Sequence, residues 1–277
     1  MTPHVMTPRA TPALAASFLS RSLPLGFLLP WILSLAVQPV LAFLVVPSVL
    51  ADPPVPAAPA SYEVARAVSP AERLLAADEA AWTAAAAIEW GPTAYVTRFH
   101  ALWSDAGLFL RFDATDPSPW HTMTRRDQHL WEEEVVEIFI DLDRSGHDYY
   151  ELEVSPANVV CDLRMIDAQP WKGEFEWNLE GLETRVHPVK DGKGATAGWT
   201  VTAFLPWTGL RALPSARNTN VPPVAGDRWR FNVFRVERPG GPRAPVKDAV
   251  SAAWSPPSGE TFHEPAAFRD LVFLGAR

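Results

Sequence analysis

A chain of 277 residues, 48% of them hydrophobic, is long enough to bury one large or two small cores. Its 24 Lys+Arg against 32 Asp+Glu give a net charge of -8 with no cationic run or stripe, which excludes nucleic acid as a main partner. The single cysteine, Cys161, excludes an intrachain disulfide and a thiolate metal cluster, and its expected role is that of a small buried apolar side chain.

The N-terminal segment is a different polymer. It holds no acidic residue before Asp52, and from Ser22 to Ala51 it carries no charge at all. The run closes on Val49, Leu50 and Ala51, a small-residue cleavage pattern, so it reads as a secretory signal peptide. An uncleaved N-terminal anchor is the alternative, because the run is long enough to span a bilayer. Pro24, Pro30, Pro39 and Pro47 weaken a straight helix and favour cleavage. The expected organisation is a signal peptide or anchor over 1–51, an extended Pro/Ala linker over 52–61, and one folded domain over 62–277. Such a chain is exported to the periplasm, the cell surface or the medium, and it touches a membrane only if the first segment is retained.

Beyond the linker, a short helix is expected around 71–81. Short runs bounded by Gly, Pro and Asp clusters predict strands over 62–67, 94–103, 108–114, 134–141, 149–154, 159–165, 182–187, 199–205, 228–236, 250–254 and 270–274. The expected fold class is all-β: an antiparallel β-sandwich, jelly-roll or immunoglobulin-like, with one short helix.

The most informative run is LWEEEVVEIFIDLDRSGHDYYELEVSP, residues 130–156. Alternation places Val136, Ile138 and Ile140 on one face of the first strand and Val135, Glu137, Phe139 and Asp141 on the other. Tyr150, Leu152 and Val154 share the oily face of the second strand; Tyr149, Glu151 and Glu153 share the mixed one. A Ser-Gly turn that sets Leu142 against Asp148 pairs Ile138 with Leu152 and Glu137 with Glu153. Like charges directly across a sheet are destabilising. They call for a cation, a shared proton, a ligand, or an arginine such as Arg230 or Arg235. A solvated open face or a two-residue slip of register are the alternatives.

Further along, Trp229, Phe231 and Val233 alternate as core against Arg230, Asn232 and Phe234. Arg235 breaks this pattern and predicts a bulge that re-aims it. Trp254 divides evenly between core and site wall. Asp141, Asp143 and Asp148 around the hairpin turn offer oxygen ligands for a structural calcium, but without a D-x-D-x-D-G loop a solvated turn is favoured. No H-E-x-x-H, G-x-S-x-G, P-loop or G-x-G-x-x-G stands in context.

An ordered series of motifs carries a resemblance. Asp78 and Trp82 are followed by a strand ending in Trp103, then by GLFLRFDATD, LWEEEVVEIFID, YYELEVSP, GWTVTAFLPW, RWRFNVFRVER, AAWSPP and TFHEPAAF. From Tyr62 to Phe273 the chain resembles the family 9 carbohydrate-binding modules, which are secreted β-sandwiches. The resemblance implies non-catalytic binding of an oligo- or polysaccharide, in the service of carbohydrate catabolism, with no cofactor beyond structural calcium. It makes Trp131 one stacking ring and Phe262 the second, in a place where the family carries a Trp-x-x-Pro sequence. It gives Glu137 the sugar hydroxyls, and it sets Glu153 where characterised members have a basic residue. Asn232, Arg235 and Trp254 complete the expected carbohydrate-binding set.

Two other functions compete. Related sandwiches resembling the haem-binding subunit of ethylbenzene dehydrogenase hold haem b through Met with Lys or His, which here points to Met123, Met165 and His121 in an electron-transfer domain. A glycoside hydrolase would use Glu137 and Glu153 as its opposed carboxylates.

Overall fold

The same alternation that separates oily from polar faces builds thirteen strands in the computed structural model, which describes residues 59–259 and 261–275. The predicted signal peptide or anchor, and residues 52–58 of the linker, lie outside the described residues. The strands are β1 (Ser61–Arg66), β2 (Ile88–Trp90), β3 (Thr97–Trp103), β4 (Gly107–Thr115), β5 (Val135–Asp141), β6 (Tyr149–Val154) and β7 (Val160–Ala168). They continue with β8 (Trp171–Glu174), β9 (Glu183–Lys190), β10 (Thr196–Pro206), β11 (Arg228–Glu237), β12 (Val250–Ala253) and β13 (Arg269–Phe273).

They form two layers joined at one strand. The first layer runs β8-β7-β6-β5-β11-β13, with β12 also paired to β11. The second runs β3-β4-β10-β9, with β2 on β3. Strand β1 belongs to both. Ser61 to Val64 pair with β13, and Ala65 and Arg66 pair with β3. These two pairings are parallel, and every other pairing is antiparallel. A strand that switches sheets in this way makes a sandwich corner.

Between the layers lies one large core. Val136, Ile138 and Ile140 of β5, Tyr150 and Leu152 of β6, and Trp229, Phe231 and Val233 of β11 face Leu110 and Phe112 of β4 and Trp199 and Val201 of β10. Each large apolar side chain enclosed there contributes about 1.5–3 kcal/mol relative to exposure. Tyr62 enters this core with its hydroxyl satisfied, donating to the Ala86 carbonyl at 2.7 Å and accepting from the Ala101 amide at 2.8 Å.

The hairpin has the expected register, with Ile138 opposite Leu152 and Glu137 opposite Glu153. Its turn needs Gly146 at φ +80°, a left-handed conformation that glycine adopts without a Cβ clash. The Gly146 amide donates to Asp141 at 2.9 Å. Asp143 accepts from the Ser145 amide at 3.1 Å and Asn218 at 2.6 Å, and Asp148 accepts from Arg164. Each turn aspartate thus accepts from a protein donor, while Asp141 Oδ1 is buried without one.

The expected helix is shorter, α1 (Ala71–Leu75), because Ala77 turns left-handed at φ +56°. Asp78 then caps a separate 3-10 turn, Glu79–Trp82, by accepting from the Ala80 amide. A second helical turn, α2 (Trp207–Leu210), was not expected; it buries Trp207. Strands β2 and β8 also escaped prediction. They are three and four residues long, too short for a period to emerge.

The bulge expected at Arg235 is absent. Pairing with β5 is unbroken from Arg230 to Val236, so Arg235 keeps to the inner face beside Val136. A fully buried guanidinium is tolerated there because it meets Asp116 at 3.2 Å, bonds Glu237, and lies 4.7 Å over the Trp199 ring. Glu134 completes the cluster. Burial, and then its hydrogen bond to Glu237, push its carboxyl up to about 9, so it enters neutral. Arg235→Met should therefore cost about 3–5 kcal/mol in urea unfolding, because it strands buried carboxylates. Adding Asp116→Asn and Glu237→Gln should recover part of that loss; an unchanged urea midpoint in Arg235→Met would exclude the ion-pair account.

Candidate functional site

The outer face of the first layer, turned away from the main core, holds a cleft of about 360 Å³. Register decides what lies on its floor. Glu137 of β5, Glu153 of β6 and Cys161 of β7 form one cross-strand row. Phe139, Glu151 and Leu163 form the next. Beneath and beside them Tyr149, Met165, Phe234 and Phe268 pack into a second apolar cluster.

The three glutamates are 2%, 3% and 1% exposed at positions 137, 151 and 153. Each offers a carboxylate oxygen within 4.8 Å of the others. Glu137 Oε1, Glu151 Oε2 and both oxygens of Glu153 are buried without a hydrogen-bond partner. Burial pushes Glu137 and Glu153 far above the ordinary carboxylate range, and the neighbouring glutamates add to it. Burial raises Glu151 to about 8. Like charges this close cannot all ionise together, so the floor holds protons at neutral pH.

Aromatic rings make the walls. Trp131 projects from a 3-10 turn, Leu130–Glu132, pinned by buried Leu130 and by a bond from Arg238 to the Glu132 carbonyl. Its ring is 36% exposed and stacks on His129 at 4.4 Å. Trp171 of β8, 48% exposed, and Phe175 just beyond it continue this wall. Thr261, Phe262 and His263 also line the cleft. Phe262 stacks on Phe234 at 4.3 Å, and His263 stacks on Phe139 at 5.0 Å.

His263 receives the Trp171 indole N–H on Nε2 at 3.3 Å, which assigns its own proton to Nδ1, 2.8 Å from the Tyr149 hydroxyl. Burial lowers its pKa to about 4, so it is neutral at ordinary pH. No Lys or Arg lines the cleft among the described residues.

A carboxylate floor under exposed indoles suits a polyhydroxylated ring. The sequence matches the carbohydrate family 9 binding domain-like family over residues 76–274. The chain belongs to that family. Its sequence is 27% identical over 191 residues to a protein of Arthroderma benhamiae described as an extracellular protein, covering 64% of this chain and 78% of the relative. Among solved structures, a family 9 module of Caldicellulosiruptor kristjanssonii in complex with cellotriose superposes with a TM-score of 0.54 at 15% identity, over 78% of this chain and 95% of that one. The same organism's module in complex with glucose gives 0.55 at 16% identity, over 78% and 96%. A Bacteroides uniformis protein gives 0.58 at 15% identity, over 77% and 98%. These likenesses show the sandwich fold.

In this family 9 domain, the structure brings four of the sequence-predicted residues together: Trp131, Glu137, Glu153 and Phe262 all line the cleft. Three lie elsewhere. Asn232 is fully buried, and its amide ties down the loop after β12 through both backbone groups of Ser255, at 2.7 and 3.1 Å. Arg235 sits in the buried ion cluster of the inner face. Trp254 packs on Phe231 at 5.1 Å within the main core. Met165, an expected haem ligand in the competing view, is enclosed in the second cluster, where Met123 also packs.

Sequence reasoning passed over Glu151, Phe139, Trp171, Phe175 and His263 as site residues. The first two were legible, since they share the alternating face with Glu137. Trp171 opens the four-residue strand β8, and Phe175 and His263 stand outside strands, so no period marks their direction; an exposed Trp amid QPWKGEFEW was the available signal.

The raised carboxyl pKa values have a stability consequence. An unfolded Glu ionises near 4.3, so these groups favour the fold fully below that pH. The contribution is lost as pH rises through the folded values, Glu151's being about 8. The melting temperature of the ligand-free domain should fall between about pH 5 and pH 8, by about 2–4 °C per kcal/mol lost. Glu137→Gln with Glu153→Gln should flatten that slope and raise the midpoint at the alkaline end. Equal slopes in the two proteins by calorimetry would contradict the buried, protonated floor.

Proposed function

We propose that the chain is an exported, non-catalytic saccharide-binding module that grips its ligand in this cleft. The observation that carries this is the pairing of exposed indoles with buried carboxyl oxygens that lack partners. A pyranose presents C–H faces to the rings of Trp131 and Trp171 and hydroxyls to Glu137, Glu151 and Glu153. Each floor oxygen left unpaired costs about 1–3 kcal/mol, and sugar hydroxyls remove that cost. Family membership, with relatives crystallised with cellotriose and glucose, supports the same ligand class.

Export rests on the uncharged N-terminal run and on the extracellular relative. Among the described residues no helix is long and apolar enough to cross a membrane.

Catalysis is disfavoured by the same electrostatics. A retaining glycosidase needs one carboxylate held ionised as nucleophile beside a protonated acid. Burial, with the neighbouring glutamates adding to it, holds Glu137 and Glu153 both in the neutral form.

Titration calorimetry and tryptophan fluorescence against a panel of soluble oligosaccharides test this. Covering roughly 60 Å² of one ring face contributes about 1.5 kcal/mol, so Trp131→Ala and Trp171→Ala should each weaken binding about tenfold or more. Circular dichroism should show both variants folded. Unchanged affinity in both, or silence across the panel in the unaltered chain, would overturn the proposal.

A further inference from the structure

Among the described residues there are two buried acidic trios, and they differ in what neutralises them. In the trio of Asp116, Glu134 and Glu237, the Arg235 guanidinium bonds Asp116 and Glu237 and lies over the Trp199 ring, whose indole N–H also donates to Asp116 at 3.3 Å. Glu137, Glu151 and Glu153 lie under aromatic rings as well, but no cationic side chain joins them. The groups facing this second trio are the Cys161 thiol from β7, the Tyr149 hydroxyl and neutral His263, with Asp127 behind the thiol. None is positive. The cleft is therefore built like the Arg235 site with the cation left out.

We propose that the cation comes with the ligand: the cleft selects a sugar unit bearing a protonated amine, a glucosamine-type residue, with the ammonium seated on Glu137, Glu151 and Glu153. This rests on the saccharide reading above and specifies its ligand. An ammonium has three N–H donors and no acceptor, which matches three carboxyl groups converging within 4.8 Å. Carboxyl oxygens buried without partners accept those bonds, and the faces of Trp131 and Trp171 add cation–π attraction and cover the sugar ring. A bare divalent ion fits less well. Calcium takes six to eight oxygens, and beyond the trio the walls offer mostly rings. Both nitrogens of His263 are already engaged.

Seating an ammonium favours ionisation of the floor. The amine keeps its proton, and carboxyl protons pass to the buffer. A neutral sugar has no such effect.

The test is calorimetry on the full chain at neutral pH, in two buffers of different ionisation enthalpy. Three probes are used: the β-linked glucosamine disaccharide, its N-acetylated form, and cellobiose. The free amine should bind at least about tenfold more tightly than either neutral probe. Proton release should accompany the amine alone. Glu153→Gln should remove most of the preference, read as the ratio of free-amine to N-acetylated affinity within that variant. If that variant does not fold, the buffer dependence in the unaltered chain decides. Equal binding of all three probes without proton release overturns the amine specificity and leaves the saccharide reading standing. No binding by any probe overturns both. Cellobiose binding that appears with calcium chloride and vanishes with chelator assigns the missing charge to a metal and overturns the proposal.

Discussion

The antiparallel register of β5 and β6 is the constraint on which both halves of this molecule depend. One register sets Ile138 against Leu152 in the main core and Glu137 against Glu153 in the cleft. The two outcomes cannot be separated. A slip of one residue would turn the glutamates into the core and the oily set outward. The core thus enforces an arrangement of like charges that the hairpin alone would avoid. Apolar burial on one face holds an electrostatically unfavourable pattern on the other.

That imbalance is met in two ways within one fold. On the inner face a guanidinium, a neutral carboxyl and an indole ring combine to make Asp116 and Glu237 tolerable. On the outer face protons do the work, since each of the three glutamates is pushed up by burial. A buried arginine is permanent, whereas a proton exchanges with solvent and yields to a better partner. Permanent neutralisation suits a structural site. Exchangeable neutralisation suits a surface that must wait for a ligand.

Much of this was legible in the sequence because period-two alternation is strong wherever one face is buried. The hairpin register and most strands followed from it, as did the shared face of Trp131's neighbours Glu137 and Glu153. Legibility failed where alternation carries no information about charge. Arg235 looked misplaced on an inward face, and a bulge was the local remedy; the actual remedy, Asp116, lies 119 positions away in sequence. Asn232 failed for a related reason. Its polar side chain suggested a ligand contact, yet it satisfies the backbone of Ser255. A buried polar residue declares a need for partners, and only the tertiary structure says whether they are internal.

The same distinction explains why the cleft is costly to maintain. Four carboxyl oxygens are enclosed without a protein partner, whereas most buried polar atoms elsewhere in folded proteins are paired. Replacing the trio by amides or apolar groups would relieve the floor, so stability alone does not account for its presence. The rigid setting matters here. Trp131 is held by buried Leu130 and Arg238, and His263 by Trp171 and Tyr149, so the walls do not collapse onto the floor to satisfy it. Acceptors left unmet between walls held in this way keep their interaction energy for a guest whose donors reach them.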